Sequence, residues 1–137
     1  MNVEFKKAGI EDVKILGIMN KRLIEDEGHS NPMNTDELTE RMRNFISNEY
    51  TAYLIVIENG IAGYCLFRDD KEYIYIRQLY VEENKRKMGL GKACIQWLKS
   101  NLWINRKIRM DVLNKNKNGI EFWRKIGFQN YAITMEM

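Results

Sequence analysis

The chain is short of the residues that announce several common chemistries. Its 137 residues include one proline, one histidine and two cysteines. A single histidine, His29, does not make a histidine-rich zinc site, so no metal is expected. The N-terminal stretch MNVEFKKAGIEDVK carries charges every few residues and no apolar segment of the kind that directs secretion. In such a chain Cys65 and Cys94 read as buried thiols rather than as a disulfide. No run approaches the ~18 consecutive apolar residues of a membrane span. The expectations are therefore a cytoplasmic location and no membrane partner. Without Ser/Gly-rich tracts there is no linker, repeat or disordered tail to place, and residues 1–137 are expected to fold as a single domain. A domain of this length buries roughly two-thirds of the surface its unfolded chain exposes.

What is present is a globular balance of 45% hydrophobic and 30% charged residues. The net charge of +3 is unevenly spread: residues 1–68 hold 8 Lys/Arg against 11 Asp/Glu, and the remainder hold 14 against 8. If these halves separate in space, one side suits an anionic ligand and the other a cationic one.

Periodicity supplies the elements. Val3 to Lys6 reads as a short strand. Ile10 to Asp26 reads as a helix with Val13, Leu16, Met19 and Leu23 on one face. Asn34 followed by Glu37 is a capping signal for a second helix, which turns Leu38, Met42 and Phe45 inward. Thr51–Ile57 and Ile61–Phe67 flank Asn59-Gly60, the preferred dipeptide of a type I′ hairpin turn. After Asp69-Asp70-Lys71, Glu72–Val81 is a third strand of the meander, rich in Tyr and Ile. Gly89 opens a helix to about Trp103. Lys107–Leu113 reads as a strand, Asn118–Ile126 as a helix with Gly127 as its C-cap, and Phe128–Met137 as a final strand. The order βααβββαβαβ predicts an α/β (α+β mixed) fold, with a central mixed sheet and helices on both faces.

The segment between the third meander strand and the next helix carries the chemistry. Glycines at 89 and 91 let the backbone curl and a ligand approach. Main-chain N–H groups from Met88 to Gly91 would converge at a helix N-terminus, reinforced by the helix dipole. Lys85, Arg86, Lys87 and Lys92 add positive charge, so a polyphosphate ligand fits. The same residues are also compatible with an ordinary solvated turn. They do not make a Walker P-loop, because no Ser or Thr follows Lys92, nor a dinucleotide fingerprint, because the third glycine is absent.

The run Tyr75-Ile-Arg-Gln-Leu-Tyr-Val-Glu-Glu-Asn-Lys-Arg-Lys-Met-Gly-Leu-Gly resembles the strand and cofactor loop of the GNAT acetyltransferase superfamily. Arg86, Gly89 and Gly91 stand at the three defining positions of its Arg/Gln-x-x-Gly-x-Gly/Ala pattern. Downstream, Asn116-Lys-Asn-Gly-Ile-Glu-Phe-Trp-Arg-Lys-Ile-Gly-Phe resembles that family's second block, and the element order matches the family fold. The resemblance implies a GNAT-like acyl-CoA N-acyltransferase fold and acetyl-CoA as co-substrate. Carried over, the backbones of Leu79 and Val81 would bind the pantetheine arm. Arg86, Lys87, Met88, Gly89, Leu90, Gly91 and Lys92 would hold the pyrophosphate. Asn116 would contact the cofactor arm, and Lys125 a phosphate.

The implied reaction is acetyl transfer to a primary amine of a small molecule or peptide by direct attack in a ternary complex. A main-chain N–H near Val81 would receive the oxyanion. Where the family pattern places a tyrosine to help the leaving thiolate, this chain has Trp123, which can donate a hydrogen bond but is no acid. Either another phenol, Tyr80 or Tyr131, takes that part, or the thiolate leaves unaided. Tyr75 stands where relatives carry a carboxylate and would orient a water, since a free phenol titrates near ~10. Arg77 on the same strand would bind an acidic group of the acceptor. Glu25, Asp26 and His29, between the first two helices, would attract a cationic amine, or simply form a solvated helix end. Two other classes stay open. One is a non-catalytic acyl-CoA sensor, to which Trp123 is suited. The other is a basic nucleic-acid module around Lys85-Arg86-Lys87, which Glu82-Glu83 and the small net charge argue against, so no nucleic-acid partner is expected. A C-terminal edge strand would leave room for a homodimer.

Overall fold

The computed structural model describes residues 2–28, 30–58 and 60–137. Strand β1 (Glu4–Lys7) leads through a 3₁₀ turn at Ile10–Asp12 into α1 (Val13–Glu27) and α2 (Thr35–Ser47). The meander β2 (Tyr50–Ile57), β3 (Gly60–Asp69) and β4 (Ile74–Val81) follows, then α3 (Leu90–Asn101), β5 (Ile108–Met110) and α4 (Lys117–Ile126). The five strands form one sheet in the order β1-β2-β3-β4-β5, antiparallel except for the parallel β4–β5 pair. No described helix is long and apolar enough to cross a membrane.

Strand periodicity sorts the core into two layers. On β2, Ile55 and Ile57 pack toward α3, with Leu90, Cys94, Ile95 and Leu98, while Ala52 and Leu54 face Leu16, Met19 and Met42 of α1 and α2. Each of the larger aliphatic side chains contributes about 1.5–3 kcal/mol by leaving water, and a one-residue slip of β2 would exchange the two sets between layers packed for the other, which fixes the register. The α2 start forms as the sequence predicts. Asn34 Oδ1 accepts from the Glu37 N–H at 2.8 Å, and Glu37 Oε1 accepts from the Asn34 N–H at 2.9 Å, a reciprocal cap worth about 1 kcal/mol. Of the Asn59-Gly60 turn, Asn59 lies outside the described residues.

Two departures bear on function. The expected last strand, Phe128–Met137, does not form, and Tyr131, Ile133 and Met135 stand exposed. An alternating pattern needs a neighbouring edge and a face to bury against. Here the expected strand Lys107–Leu113 contracts to Ile108–Met110, which presents only a three-residue edge. The second departure is a bulge in β4. Leu66 pairs with Gln78 but the adjacent Phe67 pairs with Ile76, so Arg77 is the extra residue. The bulge flips parity: Ile74 and Ile76 face the α3 layer before it, and Leu79 and Val81 face that layer after it.

Candidate functional site

The site begins where two parallel strands part. β4 and β5 pair at Ile74↔Ile108, Tyr75↔Arg109 and Ile76↔Met110, and among the described residues no strand continues the pairing beyond Ile76. β4 nonetheless runs on to Val81. The N–H of Glu82 donates to the Ala62 carbonyl at 2.8 Å. In an antiparallel ladder alternate residues bond the same neighbour, so Glu82, Tyr80 and Gln78 turn toward β3. Leu79 and Val81 therefore direct their main-chain groups into the gap left by β5.

The gap opens onto the loop before α3. A 3₁₀ turn at Glu83–Lys85 precedes Arg86, and Lys87 (φ 68°) and Gly89 (φ 76°) then adopt left-handed backbone. At Gly89 an added Cβ would meet nothing within 4 Å, so glycine serves the backbone angle there, and the space around it is open to a ligand. Gly91 differs. Its added Cβ would stand 3.1 Å from Phe122 Cζ, so this glycine lets α3 pack closely on α4. Leu90 is buried in the core, whereas Lys87, Met88 and Lys92 are exposed around the loop. Arg86, also exposed, folds back on the strand end: its Nε donates to the Val81 carbonyl at 2.8 Å, Nη2 bonds Asp26, and the guanidinium lies over the Tyr80 ring at 5.5 Å. A second pair, Arg22 with Glu82, also ties α1 to the loop.

These ties border a cleft of about 610 Å³ lined by Arg22, Glu25, Asp26, Tyr80, Glu82, Glu83 and Asn84. Asp26 is committed to Arg86, and Glu25 is exposed on the cleft wall. His29 lies outside the described residues. The Tyr80 ring is buried, and burial together with the neighbouring Glu82 carboxylate pushes its phenol up to about 12.

A second cleft, of about 370 Å³, lies at the other end of β4 and is lined by Arg68, Tyr73, Tyr75, Arg77, Arg109, Asp111 and Tyr131. The Tyr75 hydroxyl donates to Asp111 Oδ2 at 2.9 Å. Burial, and then that carboxylate, push the Tyr75 phenol up to about 12, so it keeps its proton at neutral pH. Sequence reasoning did not single out Asp111. Its signal was parity with Arg109, which the parallel register places beside Tyr75.

The second block sits on α4. Asn116 caps that helix, its Oδ1 accepting from the Gly119 N–H at 3.0 Å. Lys125 is exposed and pairs with Glu121 at 3.1 Å. Trp123 is a core residue, packed edge-on against Phe122 (5.0 Å) and Phe128 (5.2 Å).

Comparison with known proteins follows the same lines. Residues 19–128 match the Acetyltransferase (GNAT) family. Among solved structures, a predicted acetyltransferase with acetyl-CoA from Clostridium acetobutylicum superposes with a TM-score of 0.79 at 22% identity, over 99% of this chain and 96% of that one. An N-acetyltransferase from Thermoplasma acidophilum in complex with coenzyme A gives 0.76 at 17% identity, over 94% and 91%. An aminoglycoside N-acetyltransferase in complex with a bisubstrate analogue gives 0.79 at 11% identity, over 100% and 97%. At these identities the structures establish a shared fold.

Proposed function

The chain belongs to the acetyltransferase (GNAT) family, and from that premise we propose that it transfers the acetyl group of acetyl-CoA to a primary amine of a small molecule or peptide by direct attack in a ternary complex. The parting of β4 and β5 carries this reading, since it leaves the Leu79 and Val81 main chain facing a gap that leads to the α3 N-terminus. An extended arm can bond there as an added strand. Its phosphates would meet the N–H groups around Met88–Gly91 and the exposed Lys87 and Lys92.

The thioester supplies the acetyl donor. An acceptor arriving as an ammonium must lose one proton before its nitrogen can attack the carbonyl carbon. Asp111 accepts that proton, and Tyr75, protonated and bonded to Oδ2, holds the carboxylate in place. The new N–C bond forms as the C–S bond breaks and the electron pair leaves on sulfur, the developing oxyanion meeting the Leu79 N–H, which faces the same gap as Val81 but lies nearer to Asp111 along β4. The acylated nitrogen then gives up its second proton, either to the departed thiolate, which becomes a thiol, or to solvent. With Trp123 packed among Phe122 and Phe128, this side chain contributes shape rather than acid.

Two measurements test the reading. Acetyl-CoA and CoA should raise the Tm while ATP does not, and an amine panel should include members that release free thiol. A shift with no thiol release from any amine would indicate a sensor, and no shift with either CoA species would defeat the proposal. Arg86→Ala should weaken acetyl-CoA binding about tenfold in calorimetry, because it frees the loop from Val81 and Asp26. Its effect on Tm should be small, since exposed ion pairs contribute ~0–1 kcal/mol.

A further inference from the structure

We propose that the cleft beside Tyr75 recognises an oxyanion on the acceptor, so that the substrate is a primary amine whose own molecule also carries a carboxylate or phosphate. This rests on the transferase reading above. Guanidiniums from three strands converge there: Arg68 from β3, Arg77 from the β4 bulge and Arg109 from β5. Arg68 is already committed, its Nε to Asp70 at 2.7 Å and its Nη1 to the Tyr50 hydroxyl at 2.6 Å. The other two are held by aromatic faces instead. Arg109 is sandwiched between Tyr73 at 4.3 Å and Tyr131 at 4.2 Å, with Nη2 donating to the Tyr131 hydroxyl at 3.0 Å. Arg77 lies over Phe45 at 4.8 Å, with Nη1 3.4 Å from the Tyr50 hydroxyl.

Among the described residues neither Arg77 nor Arg109 is ion-paired with a carboxylate. Stacking fixes a guanidinium's plane while leaving most of its five N–H donors at the edge, the arrangement that suits bidentate capture of an oxyanion. The local balance points the same way. Asp70 is spent on Arg68, and Arg41 stands close enough to Arg77 for its own charge to be disfavoured, after burial. Among the described residues Asp111 is the one carboxylate lining the cleft. A polycation would meet three guanidiniums and one carboxylate. A molecule with both charges can put its ammonium toward Asp111 and its oxyanion toward Arg77 and Arg109.

Matched amines test this: tyrosine against tyramine, lysine against cadaverine, and phosphoethanolamine against ethanolamine. The first two pairs read a carboxylate, the third a phosphate. Each is followed by thiol release and, separately, by thermal shift of the acetyl-CoA-loaded protein. In at least one pair the anionic member should be favoured about tenfold or more in kcat/KM and should alone raise the Tm, as charge-assisted hydrogen bonds allow. Arg77→Gln and Arg109→Gln should erase that preference, and Lys99→Gln on the exposed face of α3 should keep it. Discrimination in thermal shift without thiol release would uphold the cleft and defeat the transferase reading. Equal thiol release within every pair would do the reverse. Absence of discrimination by both readouts, or a preference that survives both arginine changes, overturns the proposal.

Discussion

Asp111→Asn is expected to lower kcat by about 10²-fold or more, the usual contribution of a positioned proton acceptor, while leaving acetyl-CoA binding unchanged. The substitution is nearly isosteric, and an amide oxygen can still accept from the Tyr75 hydroxyl, so the loss isolates the missing basicity. Tyr75→Phe provides the contrast. It removes the 2.9 Å bond that positions the carboxylate but not the carboxylate itself, so kcat should fall only about tenfold. The sign of the Tyr75 shift supports this order. With its phenol raised to about 12, Tyr75 stays neutral throughout the working range, and any ionisation seen in the kcat profile between pH 5 and 9 should persist in Tyr75→Phe. Steady-state thiol release measures kcat, and calorimetry measures acetyl-CoA binding. A kcat within twofold of the unmodified enzyme for Asp111→Asn would remove Asp111 from the chemistry.

Local patterns made much of the fold legible in sequence. The run Thr51–Ile57 announced strand β2, Asn34 and Glu37 announced the α2 cap, and Gly127 ended α4 with a φ of 122°. These features depend on spacing along one element. What sequence could not disclose depends on residues brought together from afar. Gly91 looked like a ligand glycine, yet what crowds it is Phe122 from α4. Arg86 looked like a free phosphate ligand, yet it is shared between Val81 and Asp26. Asp111 gained meaning only from the parallel register that sets β5 beside Tyr75. Residues 128–137 had the alternation of a strand, but a three-residue edge at Ile108–Met110 offers too little to pair with. The turn around Gly89 sits between these cases: its backbone conformation was legible, while the parted strands that give it a ligand path were not.

Those parted strands make Gly63→Ala the most damaging small change. Gly63 is buried on β3 opposite Val81, and an added Cβ would stand 2.0 Å from the Tyr80 carbonyl oxygen and 3.0 Å from Val81 Cα. Both obstacles are backbone, so no side chain can swing aside, and β4 itself must move. Past Ile76 its far edge has no strand neighbour among the described residues, so it will shift into the gap proposed for the pantetheine arm. Overpacking of this kind costs about 3 kcal/mol, a fall in Tm of roughly 10 °C for a domain of this size. Acetyl-CoA affinity should fall more than tenfold as the gap narrows. Gly28→Ala separates crowding from loss of glycine as such. Gly28 has a φ of 69° with nothing within 4 Å of an added Cβ, so only the left-handed backbone is penalised, by about 1 kcal/mol. Its Tm should fall by a few degrees, with acetyl-CoA affinity unaltered. If the two variants prove alike in both measurements, the β3–β4 contact does not hold the gap open.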